Sequence, residues 1–288
     1  IEGKLWIGVN MMWEDGTTEI LGQHITSLQG LNNLEYIGES LHLGSQRLES
    51  IDALSKLTCV GQDAAGNAFY GALWLTNTRL TSLAGLEGLI KIGGELRVKG
   101  NNRLTSLAGL NNLKSVGAEI RVSMNAKLES LTGLESLQEI TPSSENNGNL
   151  IIINNPKLTS LGAPLGSLSA LQEISGKLLI ATNAALAAID GFDALTNAGK
   201  ITISGNHALV SIDGFHDLES MSGDLRLRIN NNLETLPGFS SLNEISGQLQ
   251  IEWNPKLPTC TAGNFAAAIE TIAGGISIDN NDDTGICE

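Results

Sequence analysis

Three groups of residues in this chain have side chains whose types and spacing could do chemistry. The first is Asp279-x-Asn281-x-Asp283-x-Gly285, which sets oxygen ligands at alternate positions, as a hard cation such as calcium requires. The glycine stands one place late for an EF-hand loop, and Asn281 also belongs to a repeated series described below, so a polar turn explains the run as well. The second is the pair Glu95 and Glu119. Two convergent carboxylates are the minimum for acid–base attack on a polysaccharide, and these two occupy the same place in consecutive repeats, which stacks them about 5 Å apart. Arg97 and Arg121 lie beside them, and interstrand ion pairs account for all four residues without catalysis. No G-x-S-x-G, P-loop, H-E-x-x-H or C-x-x-C occurs, and His24, His42, His207 and His216 fall at unrelated places in the repeat. We therefore expect neither an enzyme nor a metal site, with Asp279, Asn281 and Asp283 as the one weak calcium candidate.

The third group is a surface. Short apolar pairs recur along the chain with charged, polar or aromatic residues before, between and after them, as in Lys4-Trp6-Gly8, Ala72-Trp74-Thr76, Glu95-Arg97-Lys99 and Glu119-Arg121-Ser123. Taken over every repeat, these outward positions hold Lys4, Arg97, Lys99, Arg121, Lys177, Lys200, Arg226 and Arg228, but only five acids, Glu95, Glu119, Asp224, Glu252 and Asp279. The face is thus net positive on a chain whose formal charge is −14. It also carries Trp6, His42 and Trp74, and three aliphatics, Ile151, Ile153 and Leu179, which read as exposed. Strands prefer Trp, Ile and Arg on a solvent side, which is the bland explanation. As a binding face, the tryptophans would stack on sugar rings or apolar side chains, while Arg97, Lys99 and Arg121 would hold carboxylate or sulfate groups. The expected ligand is an acidic glycan or acidic protein spread across the third to seventh strands, held less tightly as salt rises.

What positions such a face is a repeat. In Glu95–Gly117, Leu96 and Val98 alternate with Arg97 and Lys99, the pattern of a strand with one face in and one out. Asn101 marks a bend. Leu104, Leu107, Leu110, Leu113 and Val116 then recur every three residues, which suits a chain turning corners around a core, and Gly117 ends the turn where a positive φ is expected. Eleven copies of the strand pair follow one another: Leu5/Ile7, Leu41/Leu43, Leu73/Leu75, Leu96/Val98, Ile120/Val122, Leu150/Ile152, Leu178/Ile180, Ile201/Ile203, Leu225/Leu227, Leu249/Ile251 and Ile276/Ile278. A repeat of this length that cannot bury its own apolar edge is the unit of a solenoid. Asparagines keep the register: Asn10, Asn101, Asn125, Asn155, Asn183, Asn206, Asn230, Asn254 and Asn281 follow the strands at a constant offset, while Asn77 comes one place early and the second copy has Ser45 and Gln46 instead. A second ladder of small residues runs from Ser27 through Ser50, Ser82, Ser106, Ser130, Ser160, Ala188 and Ser211 to Thr235. Both ladders read as structural, and the glutamates Glu49, Glu129 and Glu234 beside the second exclude the flat threonine ranks of an ice-binding rod.

The expected fold is mainly β: a right-handed parallel β-solenoid of about eleven coils in a single domain over 1–288. Residues 1–40 form an irregular N-terminal coil with Met11, Met12 and Trp13 as its apolar underside, 41–256 the regular repeats, and 257–288 a C-terminal cap. A short amphipathic helix is expected over Asn264–Ile272, closed by Gly274 and Gly275. Polar loops at Gln62–Gly71 and Thr141–Gly148, and extra residues at Gly162–Gly166, form an alternative binding surface. Cys260 and Cys287 flank the last coil and are expected to be bridged, leaving Cys59 over. The acidic balance speaks against nucleic-acid or anionic-membrane partners, and no apolar run is long enough to insert in a membrane. Ile1-Glu2-Gly3-Lys4 reads as a mature or trimmed start with no signal peptide, and the lack of any N-x-Ser/Thr sequon suits a bacterial source.

The run LTSLAGLNNLKSVGAEIRVSMNAKLESLTGLESLQEI and its copies resemble the receptor L domain, a relative of leucine-rich repeats. The ending NPKLPTCTAGNFAAAIETIAGGISIDNNDDTGICE is similar to the terminal caps of bacterial surface proteins of this kind. The resemblance implies a parallel solenoid that binds ligands and supplies no catalytic residues. The expectation is a secreted or cell-surface adhesion module for an extracellular glycan or protein. A structural or filament-forming surface protein is the alternative, and a polysaccharide-acting enzyme the least favoured.

Overall fold

A computed structural model describes residues 1–8, 10–12, 18–20, 24–62, 70–142, 148–161 and 168–287, with backbone alone for 10–12 and 18–20. The chain winds as a parallel β-solenoid. Eleven strands stack in register along one face: β1 (Leu5–Ile7), β2 (Leu41–Leu43), β3 (Leu73–Thr76), β4 (Leu96–Lys99), β5 (Glu119–Ser123), β6 (Asn149–Ile153), β7 (Glu173–Ala181), β8 (Asn197–Ser204), β9 (Leu225–Arg228), β10 (Leu249–Glu252) and β11 (Ile276–Asp279). From β2 to β11 they bound nine complete turns, so the coil count falls a little short of eleven, because the end strands do not each close a turn and the step from β1 to β2 is irregular. A second parallel ladder runs beside the first, from Tyr36–Ile37 through Cys59–Val60 and Lys91–Ile92 to Thr271–Ile272, and joins it within the long strands β7 and β8.

The three-residue spacing of the leucines has a backbone cause. Leu104 N bonds Asn101 O, Leu110 N bonds Leu107 O, and Leu113 N bonds Leu110 O, at 3.1, 3.1 and 2.9 Å. Each is a turn closed over three residues, so every third side chain returns to the same inward direction. Leu104, Leu107, Leu110, Leu113 and Val116 are accordingly all fully buried. The small-residue ladder serves these turns: the hydroxyls of Ser50, Ser82, Ser106 and Ser130 each accept from the backbone N–H two residues on. Gly117 does not take the positive φ expected of it. It is needed for space, since a Cβ there would meet the Gly93 carbonyl of the coil before, and the left-handed residue is Ala118, at φ 98°.

The asparagine ladder is the internal seam. Asn101 N donates to Asn125 Oδ1, Asn125 N to Asn155 Oδ1, and so on through Asn183, Asn206, Asn230 and Asn254 to Asn281, at 2.9–3.2 Å. Each amide nitrogen reaches back to a strand carbonyl, as Asn183 Nδ2 does to Ile152 O at 3.0 Å. In the third coil the seat belongs to Thr78, whose N and Oγ1 donate to Asn101 Oδ1, and Asn77 is instead the left-handed corner residue at φ 53°.

Helix α1 (Thr259–Ala268) starts and ends earlier than expected: it begins directly after Pro258, and Thr271–Ile272 pairs with Glu244–Ile245 rather than continuing the helix. Phe265 on α1 closes a column of rings, Phe192–Phe215–Phe239–Phe265, with centroids 4.9, 5.0 and 5.5 Å apart. Cys260 and Cys287 are bridged across the cap, while Cys59 is a buried free thiol that donates to Gln62 Oε1 at 3.1 Å. At the N-terminus Asn10–Met12 pairs antiparallel with Thr18–Ile20. Trp13 lies outside the described residues, as do 63–69, 143–147 and 162–166 of the three polar insertions.

Candidate binding face

The outward side chains of the first strands form one connected stack. His42 lies between Trp6 and Trp74, with ring centroids 5.1 and 4.0 Å away and planes within 10° and 1° of parallel. Register alone produces this, because Trp6, His42 and Trp74 are cross-strand partners on β1, β2 and β3. The stack is closed at both ends by cations: Lys4 Nζ stands 5.7 Å from the Trp6 ring and the Arg97 guanidinium 4.4 Å from the Trp74 ring. Each tryptophan is therefore already stacked on His42 and approached by one of the protein's own cations. This corrects the expectation that they are open platforms for a sugar ring. His42 is buried, and that burial, followed by the nearby Lys4 and Arg97 charges, lowers its pKa to about 4.

Glu95 and Glu119 clamp Arg97 and Arg121, each along its own strand rather than between strands, whereas Glu252 reaches across to Arg228 on the neighbouring strand. Arg97 donates to both Glu95 oxygens at 2.9 and 3.0 Å, and Arg121 Nε to Glu119 Oε1 at 2.7 Å. Residues two apart on a strand share a side of the sheet, so partners within a strand meet as readily as partners across it. Trp74 Nε1 also donates to Glu95 Oε2, and Asn149 Nδ2 donates to the other Glu119 oxygen, Oε2. Both glutamates are buried, and each carboxylate is engaged by an arginine and a second donor.

Farther along, Ile151 is buried rather than exposed, flanked in register by Arg121 and Leu179, and Ile153 and Leu179 are half-buried. Aliphatics between neighbours about 4.8 Å away on either side cover one another. The face here is cationic instead. Lys177 and Lys200 are direct cross-strand partners on β7 and β8, with Arg121 and Arg226 close enough to act on the same ammonium. Partial burial, then Lys200, Arg121 and Arg226 in turn, pull the Lys177 pKa below its ordinary value, against a smaller opposing pull from Glu119. Arg121, Lys200 and Arg226 each have a carboxylate partner, whereas Lys177 and Lys99 have none among the described residues. Sequence reasoning counted Lys177 and Lys200 on the face but did not single them out. Their identical place in consecutive repeats was the available signal.

The calcium candidate is not assembled as a ligand set. Asn281 is bound into the ladder, with Oδ1 accepting from Asn254 and Nδ2 donating to Ile251 O, and Asp283 Oδ1 accepts the Thr259 hydroxyl at 2.6 Å. Among the described residues no three His, Cys, Asp or Glu side chains are placed to hold a metal, and no helix is long and apolar enough to cross a membrane.

Among curated proteins none matches this chain. The family model of the receptor L domain matches residues 90–194, a stretch that takes in β4 through β7 and ends before β8. Coils on both sides of that stretch keep the same strand register, and the asparagine seam continues on the C-terminal side through Asn206, Asn230 and Asn254; the chain is a parallel β-solenoid, receptor L-domain-like over residues 90–194.

Proposed function

We propose that this chain is a non-catalytic extracellular binding module, secreted or displayed at a cell surface, that holds an acidic glycan or acidic protein against its parallel-strand face. The match to the receptor L domain supports ligand binding in general, and the Cys260–Cys287 bridge supports an oxidising compartment. One observation carries the acidic ligand: Lys177 and Lys200 face each other in register with Arg121 and Arg226 alongside. Like charges directly opposite on a sheet are destabilising, and a carboxylate or sulfate laid between them removes that cost. The aromatic stack at β1–β3 and the clamped Arg97 and Arg121 form the rigid flank of this site, with Lys99 free to contact the ligand. The net acidity of the chain keeps nucleic acid and anionic membranes out of this reading.

The test is binding of polygalacturonate and heparin to immobilised protein at rising salt. Binding that weakens with salt and falls at least tenfold in the Lys177→Gln/Lys200→Gln double variant, with unchanged thermal unfolding, is the expected result. Equal binding by a folded double variant rules out this site. A second reading, end-to-end assembly, is favoured by Ile276, which sits in the inward register of β11 yet is 56% exposed, on a strand whose one sheet partner among the described residues is β10. Sedimentation showing concentration-dependent association, abolished by Ile276→Lys, would support it.

A further inference from the structure

The corner just before each ladder asparagine is a left-handed seat. It is filled in successive coils by Gly100, Met124, Asn154, Thr182, Gly205, Ile229, Trp253 and Asn280, with φ between 56° and 68° throughout. Glycine and asparagine are what such a seat favours, and a β-branched or bulky residue there is strained. Strained residues of this kind cluster at ligand-binding and other functional sites. Ile229 and Trp253 are neighbours in this column, and burial does not compensate either of them: they are 46% and 53% exposed. Between them opens a cavity of about 310 Å³ lined by Arg228, Ile229, Asn231, Trp253, Pro255 and Asn280. Trp6 and Trp74 are stacked on His42, whereas Trp253 is exposed and lines a cavity.

We infer that this cavity is a subsite for one or two rings of an uncharged saccharide, bordered by Arg228 of the strand face and distinct from the lysine pair of β7 and β8. The indole and the Ile229 side chain offer an apolar wall for the C–H face of a pyranose. Asn231 and Asn280 each bring an amide that can donate and accept, which suits vicinal hydroxyls. The local charge is balanced: Arg228 Nε stands 3.0 Å from Glu252 Oε2, and Glu252 Oε1 accepts the Ser277 hydroxyl at 2.7 Å. A neutral ligand therefore fits here, where the lysine pair of β7 and β8 calls for an acidic one.

The experiment titrates the whole chain with cellohexaose, chitohexaose and maltohexaose, following tryptophan emission and calorimetric heat, with polygalacturonate and a proline-rich peptide as the other arms. The variants are Trp253→Gly and Trp253→Asn, which the left-handed seat accommodates without strain. At least one neutral hexasaccharide should bind the wild type, and both variants should bind it at least tenfold more weakly while unfolding at the same or a higher temperature. Lys177→Gln/Lys200→Gln should bind it as the wild type does, so failure of the strand-face reading and failure of this one are separable. The proposal is overturned if none of the three sugars binds, if only the peptide or polygalacturonate does, if the variants bind normally, or if they lose binding together with thermal stability.

Discussion

Replacing Asn183 by alanine should be among the most damaging single truncations in the molecule, although the side chain is small and uncharged. Asn183 Oδ1 accepts from Asn155 N at 3.0 Å and from Asn155 Nδ2 at 3.3 Å, and its own Nδ2 donates to Ile152 O at 3.0 Å. Alanine removes these three bonds, and a fourth from Nδ2 to Asn206 Oδ1 at 3.4 Å, from a fully buried position. Two backbone groups, the Asn155 N–H and the Ile152 carbonyl, lose these partners, and an unsatisfied buried group costs about 1–3 kcal/mol, so the loss should be about 2–6 kcal/mol. Domains are typically stable by only about 5–15 kcal/mol, so a change of that size is easy to read. Asn281 offers an internal control: it ends the seam and is only part-buried, so water can replace its bonds to Asn254 and Asn281→Ala should cost about 1 kcal/mol. Urea denaturation followed by far-UV circular dichroism measures both. Because coils couple mainly to their neighbours, Asn183→Ala should also broaden or split the transition into two halves of the solenoid. An Asn183→Ala midpoint within about 0.5 kcal/mol of wild type, or an Asn281→Ala loss just as large, would refute the idea that the seam ties coil to coil.

Three further outcomes are expected. Reducing the Cys260–Cys287 bridge, or replacing both cysteines by serine, should lower stability by about 3–4 kcal/mol from the freed loop entropy, measured as a lowered urea midpoint under reductant. Leu128→Ala removes a fully buried core leucine between like neighbours and should cost about 2–5 kcal/mol; unchanged thermal unfolding would mean the inward face is misassigned. His42, held neutral with a pKa of about 4 against an ordinary 6.5, stabilises the fold fully above pH 6.5, and that contribution is lost as pH falls from 6.5 toward 4. His42→Phe keeps a ring between Trp6 and Trp74 and should flatten the dependence of the melting temperature across that window.

The repeat was legible because each of its parts is local. A strand needs only alternating residues, and a three-residue leucine period needs only successive turns, so Leu96 to Val116 show their inward set without reference to any other coil. The asparagine seam and the pairing of Cys260 with Cys287 were legible for the same reason: repetition marks the seat, and the two cysteines bracket one coil. The candidate face was legible as a list of outward residues, including Lys4, Arg97 and Arg121, since period two assigns sides.

What those outward residues do to one another was decided only by stacking coils that are far apart in sequence. Residue types cannot say whether Glu95 meets Arg97 on its own strand or Arg121 on the next; side-chain reach decides, and it favours the same strand. Nor can they say that His42, more than thirty residues from both Trp6 and Trp74, would stack between them. Helix α1 ended early for a similar reason, because the second ladder offered Thr271–Ile272 a strand partner that local propensity does not register. Trp253 is the converse case. Its offset of four from the first apolar residue of β10 was readable, but the left-handed backbone that makes a tryptophan there costly, and the cavity it opens beside Ile229, exist only once three coils are stacked. Local periodicity determined which residues of this protein point out of the solenoid; packing between coils determined which of them remain available to a ligand.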